Sequence, residues 1–171
     1  MRIRTLNRIV CIAALVAISS AVRPIAASAQ DGGIALGTVP PSAPVRSLDG
    51  KPLQLSAVVG PGPALVEFWA TWCPNCKELE PAMAAAHAKY AGRVKFVTVA
   101  VAINESIERV RKHAAAHNMA PPVVYDADGS AASAYDAPAT SYVVVIDRAG
   151  KVVYTGVGGT QDLDAAIRKA L

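Results

Sequence analysis

Two kinds of segment alternate along most of the chain. Short apolar runs rich in β-branched residues are typical of buried strands, and longer mixed segments with charged ends are typical of helices. An Asp-Gly turn predicts a hairpin near the start. The pattern predicts a hairpin over 44–55, strands at 64–70, 94–103, 122–125, 142–146 and 151–157, and helices at 74–90, 104–117, 130–135 and 161–171. Such alternation predicts an α/β fold with a central sheet flanked by helices.

Local signals set the expected helix ends. Asn104 is the predicted N-cap of the helix over 104–117, with Glu105 and Glu108 in its first turn. Pro81 lies inside the longest predicted helix and is expected to kink it. The last helix has acids near its start and bases near its end, which matches the helix dipole.

The first 29 residues have the organisation of a secretory signal peptide. Arginines precede an apolar stretch over 9–22, and an Ala-Ser-Ala cleavage motif ends at residue 29. An uncleaved membrane anchor is the alternative, but the apolar run is shorter than the roughly 20 residues that span a bilayer. We therefore expect export to the periplasm with cleavage before Gln30. A flexible leader over 30–42 and one domain over 43–171 should follow.

Composition and charge exclude several functions. With 53% hydrophobic and 18% charged residues, the chain is not intrinsically disordered. The chain has 17 basic and 13 acidic residues, and four of the basic residues but none of the acids precede residue 30. The mature part then has 13 of each and no net charge. It offers no electrostatic basis for binding nucleic acid, so we expect no nucleic-acid partner.

Cys73 and Cys76 lie where a predicted strand ends and a predicted helix begins. Cleavage of the leader would remove Cys11 and leave these two as the only thiols. A disulfide across so short a loop contributes little stability, so reactivity is the better reason for the pair. The helix N-terminus favours a thiolate at Cys73, and Pro74 suits the first turn. We expect an exposed attacking sulfur at Cys73 and a resolving sulfur one turn later at Cys76.

The segment 66–81, V-E-F-W-A-T-W-C-P-N-C-K-E-L-E-P, resembles the active-site segment of thioredoxins. Glu67 occupies the family's buried-acid position, and Pro81 its helix-kinking proline position. The exported leader, the hairpin and the extra strand–helix unit near 105–125 resemble the TlpA/ResA-like branch of exported thiol–disulfide oxidoreductases, several of which serve cytochrome c maturation. The resemblance covers 38–171. It implies a thioredoxin-like fold with a mixed central sheet, an N-terminal hairpin extension and the inserted strand–helix unit.

The resemblance also implies an enzyme that exchanges disulfides with other proteins, in the reducing direction. Glu67 lies on a predicted buried strand, where desolvation would raise its pKa and let it exchange protons with Cys76. The alternative is a side chain that reaches solvent and has no role. Trp72 and Pro74 are expected to contact substrate. We expect disulfide-containing protein substrates, a membrane or soluble thiol as electron donor, no cofactor, and a monomer.

One position departs from the family pattern. Members of the family usually carry a cis-proline six residues before the acid that opens the final hairpin turn. Counting back from Asp147 reaches Ser141, and Pro138 lies three residues earlier. Either a small insertion lets Pro138 fill the position, or Thr140 and Ser141 occupy it. These three residues complete the predicted substrate-binding set.

Two other functions are weighed against this one. A peroxiredoxin-like peroxidase would carry threonine three residues before the reactive cysteine, where this chain has Ala70. A copper-binding chaperone would use soft thiolates for Cu(I), but its relatives have a longer cysteine spacing and a histidine. His113 and His117 have the spacing of two metal ligands on a helix, yet the sequence shows no third ligand nearby. We therefore predict solvated histidines and no metal.

Overall fold

Strands and helices alternate along the chain much as the hydrophobic pattern predicts. The computed structural model describes residues 32–119 and 122–171. The strands are β1 (Pro44–Ser47), β2 (Pro52–Gln54), β3 (Ala64–Trp69), β4 (Lys95–Val101), β5 (Val123–Asp126), β6 (Tyr142–Ile146) and β7 (Val152–Val157). The helices are α1 (Leu55–Val59), α2 (Pro74–Tyr90), α3 (Ile107–Ala116), α4 (Ser130–Ala134) and α5 (Leu163–Arg168).

The described strands form one mixed sheet in the order β2-β1-β5-β4-β3-β6-β7. β3, β4 and β5 are parallel, whereas β6 runs antiparallel to β3 and β7 antiparallel to β6. The β1–β2 hairpin extends the sheet beyond β5. α3 and β5 form the inserted helix and strand. The predicted thioredoxin-like fold with its two additions is therefore confirmed.

Apolar side chains fill both faces of the sheet, because alternate residues of a strand point to opposite sides. On β3, Val66 and Phe68 pack into one cluster with residues of α1 and α4. Leu65 packs into the other cluster, with residues of α2 and α5. Glu67 follows the alternation of Leu65. Its carboxylate therefore lies on the face that α2 covers.

The start of α3 differs from the prediction. Asn104 is not its N-cap: its φ is 50°, in the left-handed region. The cap is Ser106, whose hydroxyl accepts a hydrogen bond from the Arg109 N–H at 3.2 Å. Glu105 precedes the helix: one of its carboxylate oxygens accepts hydrogen bonds from Thr71, and the other accepts one from the Ser106 N–H at 3.0 Å. A tertiary contact thus moves the helix start by two residues.

Part of the predicted flexible leader, residues 32–42, contacts the domain. Ile34 is buried, and its N–H donates to the Tyr142 hydroxyl at 2.9 Å. The Val152 N–H donates to the Thr38 carbonyl oxygen at 2.8 Å. This part of the chain therefore packs on the sheet instead of forming a flexible leader.

The predicted signal peptide over 1–29 lies outside the described residues. Within 32–119 and 122–171, no helix has both the length and the apolar character that crossing a membrane requires.

Candidate active site

The two cysteines lie at the N-terminus of α2, one turn beyond the end of β3. Cys73 is the N-cap residue, and its Sγ accepts a hydrogen bond from the Cys76 N–H at 3.1 Å. Pro74 is in the first turn, where a missing N–H removes no helical hydrogen bond. A disulfide joins Cys73 to Cys76, whose Cα atoms are 5.3 Å apart. The two cysteines therefore lie at the strand–helix junction, as the sequence predicts.

The exposed surface around the disulfide consists mainly of neighbouring side chains, because the two cysteines are almost completely buried. Cys73 and Cys76 are each only 4% exposed, so the prediction of an exposed Cys73 sulfur is wrong for the disulfide-bonded chain. Trp72 is 46% exposed, and its indole N–H donates to the Ile103 carbonyl oxygen at 2.8 Å. Pro74 is also exposed. A partner molecule approaching the disulfide would meet these two side chains.

The turn that carries Trp72 and Cys73 is held by a residue that sequence reasoning did not assign there. The Glu105 carboxylate accepts hydrogen bonds from the Thr71 N–H at 3.0 Å and from the Thr71 hydroxyl. Its side chain is fully buried, and Arg109 lies 3.4 Å from its second oxygen. Because 34 residues separate Glu105 from Thr71, no local pattern reveals the contact. Glu105 is a positioning residue for the turn.

Glu67 is buried on the α2 face of the sheet, as its place on β3 predicts. It retains 5% exposure and lines a cavity of about 460 Å³ together with Glu80 of α2 and Thr98 of β4. Burial raises the pKa of Glu67 to about 8, and the nearby negative charge of Glu80 adds to the effect. Neither cysteine is among the residues that line the cavity. Glu67 can therefore hold or release a proton near neutral pH, beneath the helix that carries the pair.

The candidate substrate-binding residues of the last loop are separated in the structure. Ser141 is completely buried immediately before β6, with a φ of 62°. Its hydroxyl donates to the Gly158 carbonyl oxygen at 2.9 Å. Because Phe68 of β3 pairs with Tyr142 of β6, Ser141 lies at the end of the sheet from which β3 continues toward the cysteines. Pro138 is exposed three residues earlier.

Pro138 lies beside the N-terminal segment. A Cβ atom added to Gly32 would be 3.0 Å from the Pro138 Cβ. Thr140 is half-buried between Pro138 and Ser141. Of the three candidates, Ser141 is therefore the residue directly before β6, whereas Pro138 lies beside the N-terminal segment.

Comparison with known proteins gives the family. The Redoxin family model matches residues 36–170. The chain belongs to the Redoxin family. Thiol-disulfide oxidoreductase ResA of Bacillus subtilis (strain 168) is 32% identical to this Redoxin protein over 125 residues, which are 73% of this chain and 69% of ResA. Thioredoxin-like protein YneN of the same organism is 29% identical over 132 residues, 77% of this chain and 76% of YneN.

A solved structure agrees with the sequence relatives. It is the thiol:disulfide interchange protein of the thioredoxin family from Chlorobium tepidum TLS, with a TM-score of 0.63 and 29% identity. The match covers 80% of this chain and 97% of that protein. This Redoxin protein is therefore a thioredoxin-like enzyme of the thiol–disulfide oxidoreductase class, with a TlpA/ResA-like sequence.

The fold of this Redoxin protein also places two histidines and a glutamate together, a cluster that the sequence analysis did not predict. His113 of α3 and His117, the C-cap residue of that helix, stack with ring centroids 4.0 Å apart, and Glu80 of α2 faces both rings. The expectation that no third ligand lies near the two histidines is therefore wrong. Sequence reasoning missed Glu80 because it lies 33 residues before His113, on a different helix.

Proposed function

We propose that this chain is an exported reductase of protein disulfides that acts through Cys73 and Cys76. The observation that carries the proposal is the position of the Cys73 Sγ at the N-terminus of α2, where it accepts the Cys76 N–H. A helix N-terminus and a donated hydrogen bond both favour sulfur as a thiolate. Cys73 is therefore proposed as the attacking residue and Cys76 as the resolving one.

The proposed reaction begins from the reduced pair. The Cys73 thiolate attacks one sulfur of a substrate disulfide, forming a mixed disulfide and releasing the other substrate sulfur as a thiolate that takes a proton. The Cys76 thiolate then attacks the Cys73 Sγ and displaces the second substrate sulfur. The substrate gains two electrons, and the enzyme is left with the Cys73–Cys76 disulfide. A membrane or soluble thiol donor must then reduce that disulfide again.

Glu67 is proposed to accept the proton that Cys76 loses before the resolving step. Its pKa of about 8 is close to the ordinary pKa of a thiol, so the proton can move in either direction with little cost. The cavity beside Glu67 is large enough for several water molecules, which can carry the proton onward from Glu67.

The substrate is proposed to bind over the exposed edge of the active-site turn. Trp72 and Pro74 offer exposed apolar surface beside the disulfide. Ser141, with Thr140 and Pro138 before it, is proposed to border the substrate at the other side of that edge. Its burial and the hydrogen bond from its hydroxyl to the Gly158 carbonyl oxygen hold this residue in its positive-φ conformation.

Location and partners extend the proposal. The signal-like first 29 residues support export to the periplasm and cleavage before Gln30. In that compartment a monomeric reductase would act on disulfide-containing proteins, and cytochrome c maturation is the process that the TlpA/ResA-like resemblance suggests. Fractionation of producing cells, with N-terminal sequencing of the mature protein, tests the first part. Recovery of the uncleaved chain in the cytoplasm would refute it.

The direction of exchange is tested by the reduction potential of the Cys73–Cys76 pair, measured by equilibration with dithiothreitol or glutathione buffers. A potential near or below about −270 mV, that of thioredoxin, supports a reductase. A potential near about −120 mV, that of a strong oxidant, would overturn the reducing direction and indicate a disulfide donor.

The division of roles is tested with single variants. Cys76→Ser should accumulate a mixed disulfide with a substrate protein, visible as a reducible band on a non-reducing gel, because nothing resolves it. Cys73→Ser is the matched control and should accumulate none. Equal trapping by the two variants would contradict the assigned roles.

A further inference from the structure

Three groups able to bind a metal meet between α2 and α3. Glu80 is on α2, one turn after Cys76, and His113 is on α3, one turn before His117, which caps the C-terminus of that helix. One ligating atom from each of the three residues lies within 4.8 Å of the others. The cluster lies beside the cavity that Glu67 lines, since Glu80 and His117 also line it. It is not part of the thiol pair or of the proposed substrate surface.

The distances in the cluster fit a cation better than direct hydrogen bonds. The His113 Nε2 is 3.8 Å from one Glu80 oxygen, and the His117 Nδ1 is 3.7 Å from the other. Both separations exceed hydrogen-bonding distance. Ligand atoms around a tetrahedral zinc ion, with bonds of about 2.0–2.1 Å, are about 3.4 Å apart. Because one ligand atom from each residue lies within 4.8 Å of the others, the side chains would have to bring these atoms closer by up to about 1.4 Å to reach that spacing.

The surroundings allow such a shift while they limit where the rings can go. The side chains of Glu80 and His117 are each 43% exposed, so their outer atoms can rotate. His113 is 19% exposed and packs against the Trp69 ring at 5.3 Å. One ligand is therefore fixed by the core, and two can close around an ion.

We propose that Glu80, His113 and His117 bind one divalent cation of the zinc class, with water completing the coordination. Two imidazoles and one carboxylate are the ligand types that zinc takes, and three protein ligands leave one position open. Such an ion would join α2, the helix that carries the thiol pair, to α3 of the inserted unit. The site binds metal through nitrogen and oxygen, so it works with the thiols oxidised.

The test is calorimetric titration of the untagged full-length chain with ZnCl2, in a Cys11→Ser background and with the Cys73–Cys76 disulfide closed. These conditions remove thiolates as competing ligands. We expect saturable binding of one Zn²⁺ per chain and a melting temperature that rises with Zn²⁺ concentration, because a ligand of the folded state stabilises it. Absence of saturable binding would overturn the proposal.

Variants identify the ligands. His117→Ala and Glu80→Gln should each weaken Zn²⁺ affinity about tenfold or more, as loss of one of three ligands requires. His87→Ala is the control: this histidine lines the same cavity but packs on Phe96. It should change the affinity less than twofold. A loss in His87→Ala equal to that in His117→Ala would place the ion elsewhere and refute the assignment.

Discussion

Replacing Glu67 by glutamine should change how stability depends on pH. In the folded chain burial raises the pKa of Glu67 to about 8, whereas the ordinary value is 4.5. Below pH 4.5 the carboxyl is protonated in both the folded and unfolded states and has no effect. As the pH rises above 4.5, the unfolded chain ionises Glu67 and the folded chain does not. The folded state is therefore destabilised progressively until the pH exceeds about 8.

The size of the effect follows from the two pKa values. Each pH unit between them lowers the free energy of unfolding by about 1.4 kcal/mol. The penalty is about 1 kcal/mol at pH 5, about 3 kcal/mol at pH 7 and about 5 kcal/mol at pH 9. Glu67→Gln removes the ionisation and keeps the shape. The variant should therefore gain about 2 kcal/mol over the natural chain between pH 5 and 7, and about 4 kcal/mol between pH 5 and 9.

Urea denaturation at pH 5, 7 and 9, followed by tryptophan fluorescence, measures this difference. Both proteins are kept with the Cys73–Cys76 disulfide closed, so that thiol ionisation does not contribute. Glu78→Gln is the matched control, because Glu78 is an exposed glutamate on α2. It should show no such trend. A difference between Glu67→Gln and the natural chain that stays constant from pH 5 to 9 would refute the raised pKa.

Three other predictions concern parts of the fold that support the site. Glu105→Ala leaves the half-buried Thr71 N–H without its acceptor, so it should cost about 1–3 kcal/mol in urea denaturation and slow disulfide exchange. Leu79→Ala removes a side chain with no exposure from the α2 face and should cost about 2–5 kcal/mol in the same assay. Asp162→Ala removes the N-cap bond to the Ala165 N–H and should cost about 1 kcal/mol, with faster amide exchange at the start of α5.

Each of these predictions has a control. Glu108→Ala alters an exposed glutamate of α3 and should leave disulfide exchange unchanged; equal slowing by both variants would contradict the positioning role of Glu105. Leu53→Ala changes a leucine that is 37% exposed and should cost much less than Leu79→Ala. Asp162→Asn keeps a capping oxygen, so it should retain most of the stability that Asp162→Ala loses.

The sequence predicts the strands well, because each buried strand is a short continuous run of apolar residues. The predicted strand over 142–146 agrees with β6 to the residue, and the hairpin over 44–55 is present as β1 and β2. Helix ends are predicted less well, since capping competes with tertiary contacts. Asn104 is a good capping residue, yet the chain there takes a left-handed turn that brings Glu105 to Thr71. The last helix is also shorter than 161–171: Asp162 caps its start, and it ends at Arg168.

The residues of the site likewise fall into those that the local sequence predicts and those that only tertiary packing brings together. A four-residue motif and its helix place Cys73, Pro74 and Cys76 correctly, because the spacing alone fixes their arrangement. Burial of Glu67 follows from one apolar strand. By contrast, Glu80 meets His113 only through the packing of α2 against the inserted unit, and no spacing rule relates them. The burial of the Cys73 sulfur likewise depends on neighbouring segments.

The packing of the N-terminal segment on β7 also affects how copies of the chain meet. An edge strand with free N–H and C=O groups is a template for pairing with another molecule. At β7 the Gly37 N–H instead donates to the Val152 carbonyl oxygen at 2.7 Å, and the Val152 N–H donates to the Thr38 carbonyl oxygen at 2.8 Å. The opposite edge, β2, has three residues and begins with a proline, which cannot donate. At Val152 one border of the sheet is therefore already paired within the chain, and at β2 the other border is short, so neither of these two places favours strand pairing with a second copy.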